Sequence, residues 1–171
     1  MLPSPLHPAI VHFPIVFTIL LPFVALGSMW AIRRGVRPVR AWSVPLLVAI
    51  ALSLSAWVAV QTGEADEERA EDIAGEQVLH AHEEAAERFL LLSGGVVLLM
   101  AAGFLRGVPG RAARVVAGTA ALGLVLAGYQ VGHSGGRVVF GDSVSRGISA
   151  IGAGGTGEAQ EAEDSENQDE D

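Results

Sequence analysis

The chain contains no cysteine and no lysine, so arginine supplies all eleven of its strong cations. The absence of cysteine excludes disulfides, thiolate metal sites and a cysteine nucleophile. Nineteen acidic residues bring the net charge to -8, which disfavours binding to nucleic acid. Charged residues make up only 18% of the chain, whereas 50% of its residues are hydrophobic. This composition is too apolar for a soluble domain.

Four apolar segments without a single acidic residue account for this composition. They cover about residues 9–32, 42–61, 89–105 and 113–131, and each approaches the ~20 residues that a helix needs to cross ~30 Å of hydrocarbon. We therefore predict an all-α, four-helix transmembrane bundle formed by residues 1–150 and surrounded by the lipid bilayer. Residues 151–171 are too rich in Gly, Glu and Asp to build a core, which predicts a disordered acidic tail. No internal repeat is visible in the sequence.

The arginines predict the orientation of the four spans. Spans one and two are joined by Arg33, Arg34, Arg37 and Arg40, and spans three and four by Arg106, Arg111 and Arg114. Because cytoplasmic loops are enriched in Lys and Arg, we expect these loops inside a bacterial cytoplasmic membrane, with both termini and the central loop outside. Trp30 and Trp42 then fall near the inner boundary, and Trp57 and Tyr129 near the outer one, where aromatic belts lie.

All five histidines fall on the outer side of this topology. His7 and His12 begin span one, His80 and His82 precede span three, and His133 ends span four. The inner half of the predicted bundle contains no histidine. Since no thiolate is available, any transition-metal site in this chain is expected within the outer layer.

The segment from Glu64 to Arg88 predicts an amphipathic helix that leads into span three. Its apolar stripe consists of Val78, His82, Ala85 and Phe89, and its polar stripe of Glu76, His80, Glu83, Glu84 and Glu87. We therefore expect His82 to face the bundle and His80 to face water. The carboxylates around His80 could bind a divalent cation, but a simply solvated face is the more common meaning of such a stripe.

The other three histidines each have a functional and a structural interpretation. His12 follows His7 by five residues, so it lies ~140° around the helix and ~7.5 Å deeper, and the two cannot point the same way. An imidazole at that depth should have a partner, either a ligand or a nearby carbonyl or water. His7 could instead only start the helix ahead of Pro8. His133 could belong to a glycine-rich helix end.

Residues 132–136 also match the nucleophile-elbow pattern, with Ser134 between Gly132 and Gly136. That motif requires a strand before the serine and a helix after it. Here a hydrophobic helix precedes the serine, so we predict no hydrolytic activity.

The sequence resembles the domain-of-unknown-function 2231 family of predicted bacterial membrane proteins over about residues 5–145. The resemblance rests on residues 6–15 (LHPAIVHFPI), on Thr62-Gly63, on His82-Glu83, and on His133 with the following Gly135-Gly136-Arg137-Val138-Val139-Phe140. The chain departs from the family where another histidine tends to follow the aromatic, because residues 140–143 are FGDS. A four-helix, histidine-bearing architecture is similar to that of membrane b-type cytochromes.

Three functions remain open from the sequence. The first is a haem b protein with His12 and His82 as preferred axial ligands, and with His133 or His7 as further candidates. It would exchange electrons at the outer face or with a redox partner or membrane complex subunit. The second is a Zn or Cu site of His12, His82 and His133. The third is a cofactor-free accessory or scaffold subunit, whose histidines only cap helices and form hydrogen bonds.

Overall fold

The computed structural model describes the backbone of residues 7–65 and 76–166, with side chains as far as Val138. These residues form helices joined by short turns, with no strand among them. The helices are α1 (His7–Ile10), α2 (His12–Arg33), α3 (Pro38–Glu64), α4 (Glu76–Ala102) and α5 (Gly107–Glu166). Val11 keeps right-handed helical backbone angles between α1 and α2, so the two form one span.

Four segments are long and apolar enough to cross a membrane: His7–Arg33, Pro38–Glu64, Glu76–Ala102 and Gly107–Val138. In hydrocarbon every backbone N–H and C=O needs a partner within the protein, and a helix supplies these partners within the segment itself. Large apolar side chains such as Phe23, Leu91 and Leu126 lie exposed on the outside of the bundle, where lipid would cover them. The predicted four-helix transmembrane bundle is confirmed.

The helices form two hairpins. Residues 34–37 join α2 to α3 and residues 103–106 join α4 to α5. Gly35 (φ 97°) lies in the first turn, and Gly107 (φ 73°) lies at the boundary between the second turn and α5; both adopt the left-handed backbone that favours glycine. Each helix packs on the next, and α5 also packs on α2, which closes the bundle.

The two hairpins give the bundle two chemically different ends. We call the end with the two turns the arginine end; it carries Arg33, Arg34, Arg37, Arg40, Arg106, Arg111 and Arg114. We call the opposite end the histidine end; it carries His7, His12, His80, His82 and His133. All five histidines therefore share one end, as expected from the sequence.

The core combines a few large side chains with many small ones. Trp42, Leu21, Leu52 and Met100 are fully buried, and buried alanines of α2, α3 and α5, including Ala25, Ala49 and Ala117, belong to the same core cluster. Small residues let membrane helices approach closely. Halfway along α3 and α4, the hydroxyl of Ser93 donates to the Leu90 carbonyl and accepts a hydrogen bond from Ser53 at 2.8 Å. No charged side chain is buried among the described residues.

Trp42 does not belong to the aromatic belt that the sequence predicts for it. Its side chain is fully buried, and its indole N–H donates to the Met100 carbonyl at 2.8 Å. Gly103 lies directly against the indole ring, with no room for a side chain. Arg114 donates from Nε to the Gly103 carbonyl at 2.8 Å, so the end of α4 is capped from both neighbouring helices. Trp30, in contrast, is exposed, and the Arg34 guanidinium lies 5.0 Å from its ring centre.

The third span differs from its predicted bounds. The sequence places it at about residues 89–105, after a separate amphipathic helix. In the structure α4 continues without a break from Glu76 to Ala102, and residues 103–106 form the turn. The described part of the amphipathic segment is thus the first half of the span helix. Gly103, the first residue after the helix, packs closely on Trp42.

The backbone of part of the predicted acidic tail is described, while the disorder of this tail stays a prediction. Helix α5 continues to Glu166, well past residue 151, where the sequence predicts disorder to begin. Residues 158–163 (EAQEAE) are strong helix formers, which favours a helical backbone even without a core to pack on. Residues 167–171 lie outside the described residues.

Candidate functional site

His7 and His82 meet at the histidine end of the bundle. Their ring centres are 6.4 Å apart and their planes are nearly perpendicular, at 85°. His7 opens α1, and His82 lies in the second turn of α4. Both side chains are partly buried between the helices. The structure therefore joins one histidine from each hairpin, although the two are far apart in the sequence.

His7 is held by the end of α3. Its Nδ1 donates to the Ala59 carbonyl at 2.8 Å and lies 3.4 Å from Thr62 Oγ1. A carbonyl oxygen can only accept, so Nδ1 carries the proton. The Thr62 hydroxyl is bonded to carbonyls of its own helix. Gly63 lies beside the ring, where a β-carbon would come within 3.3 Å of it.

His82 is held by α5 in a similar way. Its Nδ1 lies 2.9 Å from Ser134 Oγ, and that hydroxyl also donates to the Val131 carbonyl at 2.9 Å. Because the single hydroxyl proton is used on Val131, Oγ accepts from His82 Nδ1–H. Gly135 packs against the imidazole, and a β-carbon there would lie 3.1 Å from its Cε1.

These hydrogen bonds leave the same nitrogen free on both rings. With the proton on Nδ1, each Nε2 carries a lone pair, and no protein partner of either Nε2 occurs among the described residues. Metal-binding histidines commonly donate their second ring nitrogen to a carbonyl or other acceptor, which fixes the tautomer and the ring orientation. The pair therefore has the hydrogen bonding that two ligand imidazoles require.

The structure reveals a repeat that the sequence analysis does not find. Each hairpin has a histidine on its first helix and the sequence Arg-Gly-Val at its turn (34–36 and 106–108). Near the end of its second span it has a hydroxyl residue followed by glycine, which we call the hydroxyl-glycine pair (62–63 and 134–135). The Arg-Gly-Val sequence and the hydroxyl-glycine pair are the same number of residues apart in both hairpins. Each histidine contacts the hydroxyl-glycine pair of its own hairpin. The site is thus made of two similar halves.

The other sequence candidates lie apart from this pair. His12 is exposed on the surface of the bundle, and no hydrogen bond or ring contact joins it to His82 within the described residues. His133 is also exposed and stacks on Tyr129, with ring centres 6.1 Å apart. The structure therefore places His7, rather than His12 or His133, next to His82.

His80 is exposed and pairs with Glu83 at 3.3 Å and with Glu76 at 3.8 Å. The opposite orientations expected for His80 and His82 are therefore confirmed. In the part of the chain that the structure describes, no three His, Asp or Glu side chains are grouped to hold a metal ion. The histidine trio considered for Zn or Cu is not assembled there.

The sequence prediction preferred His12 to His7 as a ligand, yet the sequence also contains a signal for His7. The buried face of α2 carries Pro14, Thr18, Leu21, Ala25 and Ser28. At about 100° of rotation per residue, His7 lies within about 20° of Thr18 around the helix axis, whereas His12 lies about 120° from it. Thr18 and Ser28 mark the face, because polar residues in a span usually turn away from lipid.

Replacing Ser134 with alanine is expected to change the tautomer of His82. Without the acceptor oxygen Nδ1–H loses its described partner, so a mixture of Nδ1–H and Nε2–H forms should replace the single form. Nitrogen-15 NMR of histidine-labelled protein in detergent measures this directly. Thr62→Val is the matched control, because the Ala59 carbonyl remains to hold His7. An unchanged His82 signal in Ser134→Ala would contradict the assignment.

Comparisons with known proteins agree with the membrane architecture. Searches of curated proteins and of solved structures found no match. A family model described as predicted membrane protein (DUF2231) matches residues 3–147, which includes all four spans and both halves of the histidine site. The chain therefore belongs to the DUF2231 family of predicted membrane proteins.

Proposed function

We propose that this membrane protein binds one haem b at the histidine end, with His7 and His82 as the two axial ligands. The observation that carries the proposal is the pair of neighbouring imidazoles, 6.4 Å apart, each with Nδ1 hydrogen-bonded and Nε2 without a protein partner in the described residues. It keeps His82 from the sequence prediction and exchanges His12 for His7. His12 and His133 are exposed and have no role as ligands in this proposal.

The spacing of the rings supports a shared ion between opposite ligands. At a metal–nitrogen distance of about 2.0 Å, imidazoles on opposite sides of one ion have ring centres roughly 6.3 Å apart, and neighbouring ligands of a tetrahedral ion roughly 5 Å. The observed 6.4 Å is close to the first value. The pair therefore suits opposite coordination better than a tetrahedral zinc site.

The number of ligands favours the same choice. A tetrahedral Zn site needs three or four protein ligands, and no such group occurs in the described residues. Haem needs only two axial ligands from the protein, because the macrocycle supplies the other four. Bound haem would supply reversible one-electron chemistry. The Nδ1–H bonds would orient the rings of His7 and His82, and the backbones of Gly63 and Gly135 pack closely beside these rings.

The position of the pair limits the electron path. All histidines lie at one end, so this chain offers no second histidine pair near the arginine end. Electrons would enter and leave at the histidine end, through a redox partner or another subunit of a membrane complex. From the distribution of arginines we place that end outside a bacterial cytoplasmic membrane.

A cofactor-free scaffold is the second candidate. Both histidines make a hydrogen bond to another helix, and such bonds between helices stabilise membrane proteins without any cofactor. In that case the rings would only join α1 to α3 and α4 to α5.

The visible spectrum of the purified protein separates the two candidates. The protein is produced with haem precursors available, purified in mild detergent, and analysed for haem, zinc and copper. We expect about one haem per chain, with a sharp band that shifts on reduction. A colourless protein that also fails to take up added haem would overturn the proposal. Stoichiometric zinc or copper in place of haem would overturn it as well.

A further inference from the structure

The arginine end carries a concentration of unpaired positive charge. Arg33, Arg34, Arg37, Arg40, Arg106 and Arg111 are all exposed there. None of them belongs to an ion pair in the described residues, whose pairs involve His80 and Arg88 in the first half of α4. Residues 1–63 and 88–141 contain no Asp or Glu, so neither turn has an acidic neighbour in its own hairpin.

Two further observations point to the chemistry of a partner. The chain contains no lysine, and the guanidinium of arginine binds phosphate through two parallel hydrogen bonds, which a lysine ammonium does not. Arg34 also lies over the ring of Trp30, which is exposed on the outside of the bundle close to the end of α2. An exposed indole at a helix end is typical of the depth of lipid headgroups.

We propose that the arginine end is a binding surface for the phosphate headgroups of anionic phospholipids. Both turns contribute to it, because the Arg-Gly-Val sequence of residues 34–36 recurs at residues 106–108. Arg114 is excluded from the surface, since its Nε is bonded to the Gly103 carbonyl. The occupant is a lipid rather than a soluble anion, because the exposed apolar faces of α2 and α3 continue directly from these arginines.

The tryptophans allow each end to be measured separately. Trp30 is exposed near the arginine end, Trp57 is exposed near the histidine end, and Trp42 is fully buried. In Trp57→Phe the exposed reporter is Trp30, and in Trp30→Phe it is Trp57. Both variants are placed in bilayers that contain brominated phosphatidylglycerol or brominated phosphatidylcholine, and the quenching of fluorescence is compared.

We expect brominated phosphatidylglycerol to accumulate around Trp30 by about fivefold or more over phosphatidylcholine, since each arginine near a membrane surface contributes about that factor. Around Trp57 the two lipids should quench about equally. Changing Arg33, Arg37 and Arg40 to Gln in the Trp57→Phe background should remove most of the preference, and Arg34 is kept because it contacts the reporter. Arg88→Gln, near the middle of α4 and away from the arginine end, is the matched control and should leave the preference intact.

Three results would overturn the proposal that this surface binds anionic phospholipids. They are equal quenching of Trp30 by the two lipids, a full preference in the triple variant, or an equal preference at Trp57. If the triple variant does not fold, the Trp57→Phe protein with all its arginines is measured at increasing salt concentration instead. Screening of the arginine charges should weaken the preference for phosphatidylglycerol. Loss of the preference on adding inorganic phosphate, but not on adding chloride to the same ionic strength, would show that the arginines bind a free anion, which contradicts the membrane proposal.

Discussion

Replacing His82 or His7 with alanine is expected to reduce the haem content from about one per chain to nearly none. Each variant removes one of the two Nε2 ligands, and a single partly buried imidazole is not expected to retain the cofactor through purification. The fold should survive, because each substitution removes one or two hydrogen bonds, worth about 1 kcal/mol each, and the packing of a single partly buried ring. Haem content and the visible spectrum are the measurements.

The chain supplies its own controls for this experiment. His12→Ala and His133→Ala remove exposed imidazoles at the same end and should retain both haem and the unchanged band. Free imidazole added to His82→Ala should restore part of the spectrum, because it replaces the ligand without the backbone. A haem protein that loses its cofactor in His12→Ala but keeps it in His7→Ala would instead favour the pair expected from the sequence.

Gly103→Ala is expected to lower the free energy of unfolding by about 2–4 kcal/mol, since over-packing and the loss of a buried hydrogen bond add together. A β-carbon at this position would overlap Nε1 of Trp42 and lie within 2.9 Å of two further ring atoms. The indole is fully buried and bonded to the Met100 carbonyl, so it cannot move aside without breaking that bond. Unfolding by denaturant in mixed micelles measures the loss.

Gly95→Ala is the matched control for this substitution. Gly95 lies in α4, and a β-carbon there meets nothing within 4 Å, so alanine should be neutral or stabilise the helix by up to about 1 kcal/mol. In a Trp42→Leu background, Gly103→Ala should cost much less than in the unmodified protein, because the colliding ring is gone. An equal cost in both backgrounds would show that the indole is not the cause.

The sequence alone was sufficient for the architecture. Four acid-free apolar runs predict four spans, because lipid admits only segments whose backbone groups are satisfied internally. The order of these spans, together with short connections, places all arginine turns at one end and all histidines at the other. The helical spacing of apolar and charged residues also predicted correctly which side of α4 faces the bundle. That side carries Val78, His82, Ala85 and Phe89.

The limits of the sequence lie in what a single helix cannot encode. The depth of His12 suggested an interior ligand, but depth along a helix does not specify the direction in which a side chain points. That direction depends on which face of α2 packs, and the buried positions from Pro14 to Ser28 bring His7 inward and leave His12 exposed. Similarly, Trp42 has the residue type and the position that are typical of an aromatic belt. Only its contacts with Met100 and Gly103 show that it is buried.

Hydropathy and the order of charges along the chain thus determined that this protein is a four-span bundle with an arginine end and a histidine end. The pairing of His7 with His82, their common tautomer and the repeated support from Thr62 and Ser134 were decided only by the tertiary structure. The physical reason is that side-chain contacts between helices depend on rotation and axial offset. Lipid selects for an apolar surface without specifying either quantity, so close packing between the helices decides both.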